Sequence, residues 1–185
     1  MTSYVALLRG IGPRNPNMRN DRFRDVVQRL GFGNVRTVLG TGNVLFDSDE
    51  TDIRALEDVI EPAWPDQLGF KSTTIVRSRA QLASLVKKDP FGGVEHGRSS
   101  YQLVTFVKHP PARLKVKVPY EDRERGLRVV EIHRPSGAVL TITDTTAATK
   151  TPDVMTWLEK QLGKENTSRT SLTVSRILKK MTPGD

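Results

Sequence analysis

The residues able to do chemistry in this chain are few and badly spaced for one another. There are three histidines, His96, His109 and His133, and no cysteine. Disulfides, thiolate zinc sites, iron–sulfur ligation and a cysteine nucleophile are thereby excluded. No histidine has an acidic neighbour at metal-ligand or triad spacing. His96 lies in a Gly-rich stretch, His109 precedes Pro110-Pro111, and His133 abuts Arg134-Pro135-Ser136-Gly137, so each reads as a surface or turn residue. Gly10-Ile11-Gly12 follows an apolar run, but Pro13 comes next. A phosphate turn on a helix N-terminus is therefore disfavoured. No P-loop, dinucleotide fingerprint or nucleophile elbow occurs, so the residues imply no cofactor, no metal and no activated catalytic pair.

What must position any site is a chain of 185 residues, enough for one domain or two small packed halves. Its formal net charge is +8, unevenly spread. Seven arginines fall within residues 1–36 against Asp21 and Asp25, whereas eight acids fall within residues 47–66 against Arg54. A basic surface attracts nucleic acid, anionic lipid or phosphorylated metabolites, and solvated helix faces are the bland alternative. No stretch approaches the roughly 20 apolar residues of a membrane span, and the N-terminal residues lack a long apolar h-region with a small-residue cleavage site, so a cytoplasmic protein without membrane partners is expected.

Tyr4 to Arg9 reads as a buried strand bounded by Gly10. Phe23, Val26, Val27 and Leu30 then mark an amphipathic helix, with Asn20 or Asp21 as cap and Gly31 past its end. Val35–Leu39 and Asn43–Phe46 form two strands around Gly40-Thr41-Gly42. A second helix carries Ile53, Leu56, Val59 and Ile60 and is expected to close at Pro62 and Pro65. Ser72–Val76 completes a β-α-β-β-α-β order, the ferredoxin-like one, as an open-faced sandwich. One aromatic, Phe46, on the third strand argues against RNA-recognition stacking and for a core position.

Ser78 and Gln81 make a capping box for a linking helix. Tyr101–Val107 reads as a central strand, and Leu127–Ile132 with Ala138–Thr143 as a hairpin. Between them Leu114, Val116 and Val118 alternate with Lys115 and Lys117 like a strand, in a place suited to a helix. Thr151-Pro152 would start a helix ending at Gly163, and Val174, Ile177, Leu178 and Met181 mark a last one before Pro183. The expected fold is α+β: two ferredoxin-like sandwiches packed together, with mainly antiparallel sheets. The halves are 1–78 and 99–185 about a linker at 79–98, and no sequence repeat joins them.

Three stretches carry a family resemblance: Tyr4-Val5-Ala6-Leu7-Leu8-Arg9-Gly10-Ile11, Leu30-Gly31-Phe32-Gly33-Asn34-Val35-Arg36-Thr37 running on to Gly42-Asn43-Val44-Leu45-Phe46, and Thr167-Ser168-Arg169-Thr170 with Thr173-Val174. Together they resemble the bacterial domain-of-unknown-function family 1697. The resemblance implies two ferredoxin-like subdomains and no established activity. This chain departs from the family at Gly12-Pro13-Arg14-Asn15-Pro16-Asn17 and at Arg169-Thr170-Ser171, where Arg-Asn-Trp is usual. Arg9, Asn43, Arg169 and Thr173 match motif positions and become the candidate ligand-binding residues. In one reading Arg9 and Arg169 supply charge and bidentate donors to a small anion while Asn43 orients it. In the other, Arg9 pairs internally and Asn43 holds the turn at Gly40–Gly42. A binding or assembly module for a phosphate-bearing ligand or nucleic acid backbone is expected. An enzyme acting on a small anionic substrate and a homodimeric scaffold are the alternatives.

Overall fold

The computed structural model describes residues 1–12, 14–146 and 154–181. It divides into two compact units, Met1–Leu82 with Arg176–Asp185, and Ala83–Ser175. The first contains β1 (Thr2–Leu8), α1 (Asn20–Arg29), β2 (Gly33–Thr37), β3 (Asn43–Ser48), α2 (Ile53–Leu68), β4 (Thr74–Ser78) and the start of α3 (Arg79–Lys87). The second continues with β5 (Tyr101–Val107), β6 (Tyr120–Asp122), β7 (Leu127–His133), β8 (Ala138–Thr143), α4 (Val154–Leu162), β9 (Asn166–Thr170) and the start of α5 (Ser171–Lys180). The fold is α+β with two antiparallel sheets, as the sequence leads one to expect.

The first sheet has the order β2-β3-β1-β4. Side chains alternate across a strand, so Tyr4, Ala6 and Leu8 share one face with Val44, Phe46 and Val76. That face packs on Phe23, Val26 and Val27 of α1 and Leu56, Ile60 and Trp64 of α2. Val5, Leu7, Leu45 and Ile75 on the opposite face are fully buried as well. The expected open face is thus not observed, in keeping with a β1 that is apolar at successive positions rather than alternate ones.

Helix α2 runs through Pro62 and Pro65 instead of closing there, and ends at Gly69, which has φ 73°. Burial of Ala63 and Trp64, with Trp64 Nε1 donating to Thr74 Oγ1 at 2.8 Å, outweighs the missing backbone donors. Helix α1 is capped at Arg19 without a side-chain bond. The Asn20 amide is spent instead on the Leu39 carbonyl at 2.9 Å.

The second sheet has the order β6-β7-β8-β5-β9. Its β7-β8-β5-β9 part repeats, position for position, the order of the first. The polar strand β9, absent from the sequence reading, forms by pairing with β5, where Thr105 and Ser168 share a hydroxyl–hydroxyl bond of 2.8 Å. In the first unit α1 connects the first two strands of the repeat, whereas residues 108–119 form neither helix nor strand. Pro110, Pro111 and Pro119 remove the donors either would need. Ala112, Leu114 and Val118 still pack on the core built around Leu103, Leu127, Val129 and Leu158. The expected helix start at Thr151-Pro152 and stop at Pro183 lie outside the described residues. Gly163 does end α4 in the left-handed conformation, φ 80°, its N–H reaching Glu159 O at 2.8 Å.

Candidate functional site

Arg9 leaves the end of β1 half-buried, not enclosed as a buried-strand terminus suggests. Its backbone is held on both sides: its N–H donates to Thr73 O at 3.0 Å, and its carbonyl accepts from Ser72 Oγ at 2.8 Å. Leu8 N–H donates to Gly42 O, and Leu7 stands opposite Asn43, so Arg9 and Asn43 flank the same end of the sheet. Gly42 has φ +73°, and a Cβ there would lie 2.6 Å from Ile11 Cγ1 and 2.9 Å from Leu8 Cβ. Only glycine lets the loop after β1 approach the turn before β3 this closely. Asn43 is fully buried and donates its amide to Val38 O at 2.8 Å and Thr41 Oγ1 at 3.0 Å. Its geometry is the turn-holding one. Arg14 and Arg19 stand exposed on the loop after Arg9, and Lys71 stands exposed just before Ser72.

Arg169 and Thr173 belong to the second unit. Arg169 is 8% exposed and donates through Nη1 to Thr167 Oγ1 and Ser168 O, both at 2.9 Å. Burial pulls its guanidinium down to about 10. Thr173 N–H donates to Thr170 Oγ1 at 3.2 Å and the two hydroxyls share a bond of 3.0 Å, which caps α5.

The first unit holds a counterpart that the sequence reading passed over. Arg77 precedes Ser78 as Arg169 precedes Thr170, one residue before the strand ends and the next helix begins. It stands opposite Val5 on β1, as Arg169 stands opposite Val104 on β5. Ser78 and Gln81 form the expected capping box, Ser78 N–H to Gln81 Oε1 at 2.9 Å and Gln81 N–H to Ser78 Oγ at 3.3 Å. Arg77 is 1% exposed, donates to Val76 O at 2.6 Å and is also pulled to about 10 by burial, against the opposing charge of Glu57 at 3.8 Å. The signal was present: Arg77-Ser78-x-x-Gln81-Leu82-x-x-Leu85 aligns with Arg169-Thr170-x-x-Thr173-Val174-x-x-Ile177.

His133 is fully buried at the end of β7, not a surface residue. Its Nδ1 shares a 2.8 Å bond with Ser136 Oγ, and its Nε2 has no hydrogen-bond partner. Among the described residues no group of three or more acidic or histidine side chains could hold a metal ion, and no helix is long and apolar enough to cross a membrane.

The conserved bacterial protein SP0830 from Streptococcus pneumoniae has a similar structure, with a TM-score of 0.70 over 97% of each chain at 14% identity. That likeness speaks for the fold alone. No curated protein matches the chain. A family model matches residues 1–135, from β1 through β7, and the chain therefore belongs to the family described as Protein of unknown function (DUF1697).

Proposed function

We propose that the protein is a binding module for a small phosphate-bearing ligand, with Arg9 as its anchoring cation. The observation that carries this reading is the clamped backbone of Arg9, held by Thr73 O and Ser72 Oγ, beside a turn that Gly42 and Asn43 keep rigid. The clamped backbone fixes where the Arg9 side chain starts, and its guanidinium offers a phosphate bidentate donors. Arg14, exposed on the loop that follows Arg9, and Lys71, exposed next to Ser72, add positive potential. Asn43 supports the site by holding the turn, while Arg169 and Thr173 serve the parallel corner of the second unit. We infer also that both units are ferredoxin-like plaits, the second with an added edge strand β6 and without its first helix. The repeated strand order and the repeated arginine-and-cap corner support that reading.

The test is a thermal-shift screen of inorganic phosphate, sugar phosphates and nucleotides against the wild type, Arg9→Lys and Arg9→Ala. A ligand at 100 times its Kd adds about 2.7 kcal/mol. For a chain of this size that raises Tm by about 5–10 °C. The expected result is a shift in the wild type, reduced in Arg9→Lys and lost in Arg9→Ala. A shift equally large in Arg9→Ala, or no shift with any phosphorylated compound, overturns the proposal.

A further inference from the structure

We propose that residues 108–119, the strap standing where the first unit has α1, bind single-stranded nucleic acid. This concerns a different segment from the phosphate site above and stands or falls separately from it. Three observations meet on the strap. Its side chains alternate: Ala112, Leu114 and Val118 turn into the core, while Arg113, Lys115 and Lys117 are exposed. Those three cations form no ion pair among the described residues, unlike Arg123 with Glu121 and Arg125 with Asp122 on the neighbouring hairpin. A row of unpaired cations is matched by a ligand with regularly repeated negative charge.

An open groove of about 570 Å³ lies along the strap. Pro111, Val118, Pro119 and Ile132 supply apolar walls, with Arg113 and the exposed Arg134 on its lining. Glu131 also lines it, in a solvent-exposed pair with Lys88 at 3.8 Å.

The third observation separates nucleic acid from other polyanions. Tyr120, which follows the strap as the first residue of β6, stacks on Trp157 of α4 with ring centroids 5.8 Å apart and planes 14° off parallel. Both residues are half-buried, packed against the core around Leu103, Leu127 and Leu158 with part of their surface left to solvent, and Lys115 N–H donates to Gln161 Oε1 at 3.0 Å, which ties the strap to the same helix. Cations that follow a backbone beside an aromatic platform that receives bases are the shared equipment of single-strand binders. Duplex DNA has its bases already stacked and leaves such a platform unused.

Trp64 and Trp157 are the two tryptophans, and Trp64 is fully buried, so quenching of tryptophan fluorescence reports on Trp157. The full chain is titrated with a labelled 12-nucleotide RNA and with poly-dT of the same length, reading anisotropy and tryptophan emission together. Three neutralised phosphates give a salt slope of about −2, so affinity falls about 20-fold between 50 and 200 mM salt. The variant Arg113→Glu, Lys115→Glu, Lys117→Glu is expected to lose binding. A control with the same net charge, built at the exposed Arg22, Arg54 and Lys180, retains it, as does Arg9→Ala. Trp157→Phe keeps an aromatic stack and most of the affinity but loses the quenching. Equal loss in the control variant, binding without quenching, or equal affinity for polyglutamate each overturns the proposal.

Discussion

His133 shows how one side chain can make the fold sensitive to pH. Burial lowers its pKa from 6.5, the nearby Glu131 carboxylate opposes that shift, and Lys88 adds to it. Between 6.5 and the lower folded value the unfolded chain takes a proton that the fold refuses. Stability is therefore full above pH 6.5 and declines as pH falls through that window, by at most about 1.4 kcal/mol per pH unit. Chemical denaturation of the wild type and His133→Phe between pH 7.5 and 5 checks this. The wild-type curve should fall more steeply, and parallel curves would assign the acid sensitivity to other groups. Arg77 is a different case, because its buried charge has a local answer in Glu57. Removing one partner of such a pair leaves the other uncompensated, which is costlier than the pair is stabilising.

At the scale of elements, the end of the first sheet is held by contact between a loop and a turn rather than by a long strand. Gly42 has both a left-handed backbone and a neighbour within 3 Å of the missing Cβ, whereas Gly31, at φ +88°, has nothing within 4 Å. Gly31→Ala should cost about 1–2 kcal/mol for the left-handed conformation alone. Gly42→Ala adds overpacking against Leu8 and Ile11 and should cost about 3–4 kcal/mol. Urea unfolding of the two variants decides it, and equal losses would show that the close approach relaxes freely. The edge strand β4 has its own protection. Glu57 and Glu61, one turn apart on α2, accept from the N–H groups of Val76 at 2.9 Å and Thr74 at 2.7 Å. Side-chain carboxylates thus occupy donors that an exposed edge would offer to another strand, which weakens a scaffold built by pairing through β4.

For the molecule as a whole, the net charge of +8 is a mild liability as well as a means of attracting anions. Surface pairs such as Arg19–Asp21 and Arg123–Glu121 are exposed and offset little of the self-repulsion. Raising NaCl from 20 to 200 mM should therefore raise Tm at pH 7, by screening the excess positive charge. A Tm that falls with salt would mean that favourable pairs dominate the surface.

Much of this architecture is local and was legible in the chain. The 3.6-residue periodicity of Phe23, Val26, Val27 and Leu30, the Ser78–Gln81 box and the β-rich runs around Gly42 each specify an element from neighbours a few residues apart. The family motif likewise marked Arg9, Asn43, Arg169 and Thr173 from residue types and order. Tertiary structure decided what depends on distant partners. Proline fails to stop α2 because Trp64 finds Thr74, and Asn166–Thr170 becomes a strand because β5 has an edge to fill. Arg169 and His133 are buried because packing, not residue type, sets their surroundings. The strap at 108–119 was ambiguous for the same reason: its alternating side chains suit a strand, but among the described residues it pairs with none, so the core takes its apolar half and leaves Arg113, Lys115 and Lys117 to solvent.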